Sequence, residues 1–279
     1  MSRRSIHLVS LAVDALRTID AWGARTAAAG VTRAHDELGT HGPRDVPLPW
    51  ASVTKLLTGL AVLVAVEEGI VDLDEPAGPP DSTLRHLLAH ASGLPPEDGP
   101  PLMQPARRRI YSNAGIEAAA ALVSARAEMS FADYLRGAVL DPLGLAGELR
   151  SSAAWGYAGP LDDLLKLGRE LLAPVLVAAE TLAEATSVQF PGLAGVLPGW
   201  GRTDPNDWGL AFELRDGKSP HWTGTQNSRR TFGHFGAAGT FLWIDPEAGV
   251  ACGVLTDREF GDWAHGAWPR FGDAVLAGL

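Results

Sequence analysis

The tightest constraint on the fold lies toward the C-terminus. The runs WGLAFEL (208–214), GTFLWID (239–245) and GVACGVLT (249–256) read as strands. Turn residues Asp216-Gly217 and Pro246-Glu247 punctuate them. The short link at Pro246-Glu247 cannot carry a parallel crossover, and consecutive strands joined in this way imply an antiparallel sheet. Such a sheet buries one face at least, and the chain must supply the cover. Residues 25–40, broken by Gly30 and Gly39, fit a small hairpin, and a last helix is expected from about Asp262 to Leu276. Between the two ends the pattern is helical: from near Ser52 to Gly69, over LRHLLAHA (84–91), from Asn113 to Gly137, and over 161–186 with a break at Pro174. The simplest architecture is α/β (α+β): both termini share one antiparallel sheet, helices flank it, and the helical region is inserted between. The chain then forms one unit over 1–279, with sheet portions at 1–50 and 200–279, a helical insertion over 51–199, and a cleft at their junction.

Composition excludes several functions. A formal charge of −10 offers no basic footprint for nucleic acid, and the run Arg107-Arg108-Arg109 reads as an exposed turn, with contact to a substrate carboxylate as the alternative. The single cysteine, Cys252, sits in an apolar run and cannot form an internal disulfide. The block LLTGLAVLVAV (56–66) is too short for a membrane span and reads as a core helix. At the N-terminus, Arg3-Arg4 faintly resembles a twin-arginine signal, but Asp14, Arg17 and Asp20 interrupt the apolar stretch. An amphipathic helix carrying Leu8, Leu11, Ala12, Ala15 and Leu16 explains it better, and the expected location is cytoplasmic.

Three short motifs could carry chemistry. Ser52 and Lys55 lie three apart, so on a helix their side chains meet. A serine hydroxyl becomes a nucleophile when a neighbouring base takes its proton, and lysine can serve when its pKa is lowered. Alone, this pairing is equally a solvated cation at a helix start. IYSN places Tyr111 and Asn113 before an alanine-rich helix, where a phenol could shuttle a proton and an amide could hold a substrate; the plainer reading is a half-buried tyrosine. FGHFGAAGT (232–240) contains His234, Gly236 and Ala237 on an edge that a substrate backbone could approach. There the Ala237 amide could form an oxyanion hole with that of Ser52, although the run is also a plain glycine-rich turn. His86 and His90, four apart, lack the glutamate and third ligand of a metal site, so no metal is expected. No G-x-S-x-G elbow occurs.

S-x-x-K, Y-x-N and H-x-G in this order are far more specific than any one of them, and with them the chain resembles the penicillin-binding protein and serine β-lactamase superfamily. The resemblance is closest to the class C β-lactamase, DD-peptidase, D-aminopeptidase and esterase branch. LRHLLAHASGLPP (84–96), GIVDLDEP (69–76) and FADYLRGAVLDPLGL (131–145) extend it, while 150–200 is shorter and vaguer than in most relatives. The resemblance implies a β-lactamase/DD-peptidase-like sheet flanked by helices with an inserted all-helical domain. It implies Ser52 as the acylated nucleophile, Lys55 as its proton partner and Tyr111 as general base and acid. Asn113, His234, Gly236 and Ala237 become substrate-binding residues, with no cofactor and a small-molecule ester, amide or β-lactam as substrate. Histidine stands at 234 where many relatives carry lysine. A neutral imidazole gives less positive charge to Tyr111 or to a β-lactam carboxylate. If His234 acts as a cation, activity should fall as pH rises through the imidazole range. The other reading is a non-catalytic or slowly acylated binding or regulatory module on the same scaffold. Oligomeric state and the natural acyl and leaving groups are not readable from the sequence.

Overall fold

A computed structural model describes residues 14–279. Most of the expected N-terminal amphipathic helix lies outside the described residues. The strands are β1 (Ala27–Thr32), β2 (Glu37–His41), β3 (Leu48–Pro49), β4 (Glu148–Leu149), β5 (Tyr157–Gly159), β6 (Gly195–Leu197), β7 (Gly201–Thr203), β8 (Glu213–Leu214), β9 (Phe232–Gly236), β10 (Thr240–Asp245) and β11 (Val250–Thr256). The main helices are α1 (Thr54–Glu67), α2 (Leu84–Leu88), α3 (Asn113–Ala127), α4 (Phe131–Leu135), α5 (Leu161–Leu172), α6 (Ala179–Ala185) and α7 (Asp262–Ala277).

The principal sheet has six strands in the order β2-β1-β11-β10-β9-β8. Its described pairings are antiparallel, with Ala27 opposite Thr256 joining the two ends of the chain. Both faces of its central strands are covered. Phe232, Leu242, Ile244 and Leu255 pack into a core with α1 and α5, while Phe235, Phe241, Trp243 and Val254 pack with Trp268, Phe271 and Val275 of α7. This two-sided burial explains why β10 and β11 read as continuous apolar runs without a polar alternation.

Three expectations change in detail. WGLAFEL forms a strand only over Glu213–Leu214, because Ala211 adopts a left-handed conformation (φ 65°) that breaks the extended run. The helix expected from Asn113 to Gly137 is divided: Glu128 is left-handed (φ 55°), and Ser130 caps a new helix by accepting the Asp133 amide at 3.1 Å. The LRHLLAHA helix stops at Leu88, and His90 (φ 54°) turns the chain away. Helix α1 is the pivot. Every residue from Thr54 to Ala65 is buried, the signature of a helix enclosed on all sides, and Lys55 goes into the interior with it.

Candidate active site

Ser52 lies in a 3-10 turn (Ala51–Val53) that leads into α1. Several contacts fix this turn. The Trp50 amide donates to the Tyr157 carbonyl at 2.9 Å, its indole donates to the Gly159 carbonyl at 3.2 Å, and its own carbonyl accepts from the Thr240 hydroxyl at 2.9 Å. Ala51, immediately before Ser52, is left-handed (φ 46°), a conformation an alanine holds only where its surroundings impose it. Gly236 of β9 is one of those surroundings. A Cβ there would stand 2.4 Å from the Trp50 carbonyl and 2.9 Å from the Ala51 Cβ. Only glycine lets the edge of β9 lie flush against the serine turn, which brings the exposed turn residue Ala237 beside it.

Lys55 is fully buried and makes three polar contacts. Its ammonium donates to Ser52 Oγ (3.2 Å), Asn113 Oδ1 (2.7 Å) and the Ala154 carbonyl (2.9 Å). Burial pulls its pKa from 10.5 to about 7, against the opposing pull of the Glu117 and Glu97 carboxylates. The lysine therefore exchanges its proton near neutrality, within reach of the Ser52 hydroxyl. Its nitrogen also lies 4.8 Å from the centre of the Tyr111 ring. Burial pushes the Tyr111 hydroxyl well above the usual phenol range, with Glu97 adding to the rise and the Ser52 hydroxyl pulling the other way. Tyr111 is thus a neutral phenol, a donor before it is a base.

Asn113 opens α3, which Ser112 caps by accepting the Gly115 amide at 2.9 Å. Both ends of the Asn113 amide are engaged: the oxygen takes Lys55, and the nitrogen donates to Glu97 at 2.7 Å. His234 donates from Nδ1 to the Phe235 carbonyl at 2.6 Å. Burial, with the nearby Lys55 charge, drives its pKa to about 3. The imidazole is neutral, so the cationic role for His234 does not fit its surroundings.

Beside Tyr111 and Asn113 opens a cleft of about 520 Å³. Pro96, Leu102, Met103, Ile110, Val196 and Pro198 give it an apolar lining, with Glu97 and Arg108 at the rim. Leu102 and Val196 are 61% and 48% exposed there.

The structure thus brings Ser52, Lys55, Tyr111, Asn113 and His234 together and sets Gly236 against the serine turn, with Ala237 following it on an exposed turn. Sequence reading missed the group that holds the lysine from behind. Glu117 accepts from the Ser152 hydroxyl and the Ala154 amide, and so presents the Ala154 carbonyl to Lys55 and the Ala153 carbonyl to Thr58. The arginine run was misread in part. Arg107 and Arg108 are exposed, but Arg109 is buried and donates to the carbonyls of Asn206, Ala89, Gln189 and Phe190. It staples loops together, because four convergent carbonyls suit a planar guanidinium. His86 and His90 also diverge: His86 stacks on Phe190, while His90 packs at a tilt against Tyr111.

Fold and site together define a member of the serine β-lactamase and penicillin-binding protein superfamily. The model of the β-lactamase family matches residues 16–277, and the chain belongs to that family. A β-lactamase from Mycobacterium bovis is 50% identical, with a TM-score of 0.93 over 94% of this chain and 98% of that one. EstCE1, a hydrolase with promiscuous acyltransferase activity, shares the fold at 16% identity, with a TM-score of 0.80 over 99% of this chain and all of that one. The simvastatin synthase LovD from Aspergillus terreus shares it at 18% identity, with a TM-score of 0.74 over 97% and 95% of the two chains. No curated protein matches. Among the described residues, no helix is long and apolar enough to cross a membrane.

Proposed function

We propose that the chain is a serine hydrolase that cleaves an ester or amide through a covalent acyl-enzyme on Ser52. The observation that carries this reading is Lys55, enclosed, poised near pH 7 and 3.2 Å from Ser52 Oγ. In its neutral form Lys55 accepts the serine proton as the acyl bond forms. Tyr111, held protonated, donates toward the departing group and recovers a proton from the attacking water, while Lys55 returns its proton to Ser52 Oγ as the acyl bond breaks. The amides of Ser52 and Ala237 stabilise the developing oxyanion, and Asn113 with the β9 edge at His234 and Gly236 holds the substrate.

A β-lactam is one candidate substrate, supported by the 50% identical protein described as a β-lactamase. The neutral His234 and the apolar cleft favour an uncharged acyl group over one bearing a carboxylate. The test is fluorophosphonate labelling followed by intact-mass spectrometry. The wild type gains one adduct and Ser52→Ala gains none; equal labelling of both refutes the reading. Incubation with a penicillin, a D-alanyl peptide and a short nitrophenyl ester then reports which acyl group is accepted and how long it stays.

A further inference from the structure

His90 lies outside the S-x-x-K, Y-x-N and H-x-G motifs, yet it grips the chain on both sides of Tyr111. Its carbonyl accepts the Ile110 amide at 2.9 Å, and its Nδ1 accepts the Ser112 amide at 3.2 Å. Its ring packs 4.8 Å from the Tyr111 ring, centre to centre. The backbone at His90 is left-handed (φ 54°), a cost that persists only where surrounding contacts hold it.

These contacts fix where the protons sit. A backbone amide can only donate, so Nδ1 of His90 must carry a lone pair and Nε2 must carry the hydrogen. A carbonyl can only accept, so Nδ1 of His234 carries the hydrogen. Burial keeps His234 neutral, which leaves its Nε2 as an acceptor. Both Nε2 atoms are buried without a protein partner. One is a donor and the other an acceptor. Both rings pack against the same two neighbours: His90 is 4.8 Å from Tyr111 and 4.7 Å from Trp208, and His234 is 5.8 Å and 5.5 Å from them.

We propose that His90 is a positioning residue for Tyr111, and that His90 and His234 share one enclosed water beside the Tyr111 ring. A hydroxyl-type oxygen accepts from Nε2–H of His90 and donates to Nε2 of His234 at once, which an ammonium or a carboxylate cannot do. Water fits because both nitrogens are closed to solvent, and a buried polar pair of this kind is ordinarily satisfied by an ordered molecule. The link makes one wall from α2's exit and β9, with Tyr111 held against it. Its effect on turnover rests on the acyl-enzyme reading; the water and the tautomers do not.

The first test needs no activity. In protein labelled with ¹⁵N-histidine, NMR should show His90 as the Nε2–H tautomer and His234 as the Nδ1–H tautomer, both unchanged from pH 5 to 8. A high-resolution crystal structure should show one water within hydrogen-bond distance of both Nε2 atoms. The opposite tautomer at either residue, or no shared water, overturns the proposal even if Ser52 is acylated. The second test is kinetic, on variants confirmed folded by their thermal transition. His90→Leu should lower kcat about 10- to 100-fold with KM little changed, and His234→Leu, which also lies on the substrate-holding edge, should lower kcat by a comparable factor while raising KM. The double variant should fall no further than the worse single one, because each loses the same water. His90→Asn, which tolerates the left-handed backbone and keeps an acceptor for the Ser112 amide, should recover part of the loss. Multiplicative losses in the double variant, or a loss confined to KM, refute the shared role.

Discussion

Holding Lys55 in the interior has a thermodynamic consequence that can be measured without a substrate. The unfolded lysine keeps its proton up to about pH 10.4, while in the folded protein burial lowers the pKa to about 7. Between these values the unfolded chain binds the extra proton, so stability must rise with pH across that window. Each pH unit is worth at most roughly 1.4 kcal/mol. Enclosing Lys55 therefore costs about 4 kcal/mol at pH 7, about 1 kcal/mol at pH 10 and nothing above the unfolded pKa. That is a large share of the roughly 5–15 kcal/mol by which a domain is stable.

Lys55→Met removes the charge and keeps most of the volume. It also removes the contacts to Ser52, Asn113 and Ala154, a loss that is nearly constant over the range. The difference in unfolding free energy between variant and wild type should therefore move against the variant by about 3–4 kcal/mol from pH 7 to pH 10. Urea titrations at pH 7, 8.5 and 10, followed by the fluorescence of the nine tryptophans, measure it directly. Other titrating groups cancel in the difference. Parallel pH dependences, agreeing within about 1 kcal/mol, would refute the claim that Lys55 is held poised by burial. The kinetic counterpart is a rising limb of kcat/KM near pH 7, where the lysine becomes a base.

Two further predictions concern the frame. Gly236→Val sets a branched side chain against the Trp50 carbonyl and Ala51. It should cut kcat/KM by about 100-fold or more and cost about 1–3 kcal/mol of stability, a pair of effects read by comparing steady-state kinetics with calorimetry. Lys218→Met leaves the fully buried Glu213, which also takes His221 and Trp222, without its cation. It should cost about 3–5 kcal/mol in urea unfolding, and pairing it with Glu213→Gln should recover much of that.

The sheet was legible because its strands carry their own evidence: apolar runs, the last two joined by a link too short for anything but antiparallel pairing. WGLAFEL misled for the same local reason in reverse, since composition says nothing of the left-handed turn at Ala211. At the site, the serine, lysine, tyrosine and asparagine were readable because spacing along a helix or at its start fixes their directions. Arg109 was not, because three consecutive arginines look alike until the carbonyls of Ala89, Gln189, Phe190 and Asn206 converge on one of them. Glu117 and His90 escaped for a related reason. Each acts through backbone groups distant in sequence, and a backbone amide or carbonyl leaves no mark in the residue alphabet. Glu117 looks like any helix-surface acid, and His90 like the end of an amphipathic helix.

The histidine at 234 changes how the site tunes its base. A lysine at that position, as in many relatives, would add a second positive charge near Lys55 and help lower its pKa. With a neutral imidazole there, no neighbouring cation does this work: the carboxylates of Glu117 and Glu97 push the other way, and burial alone brings Lys55 to about 7. Burial is a property of the enclosure, so the residues that keep water from Lys55 become the residues that set its basicity. One of them is the 152–154 loop, which Glu117 fixes through the Ala154 amide; its Ala154 carbonyl accepts from the ammonium and so favours the charged form against burial. Glu117 favours the charged lysine through its carboxylate, and it also holds in place a loop that forms part of the enclosure. Burial as a whole outweighs that carboxylate, since Lys55 stays near 7 with it present. In the mechanism proposed above, a loop that opened would let water reach the lysine, return it toward its ordinary range and leave Ser52 without its base at neutral pH. On that reading, closure of this loop is a condition of the proposed chemistry alongside the serine and lysine.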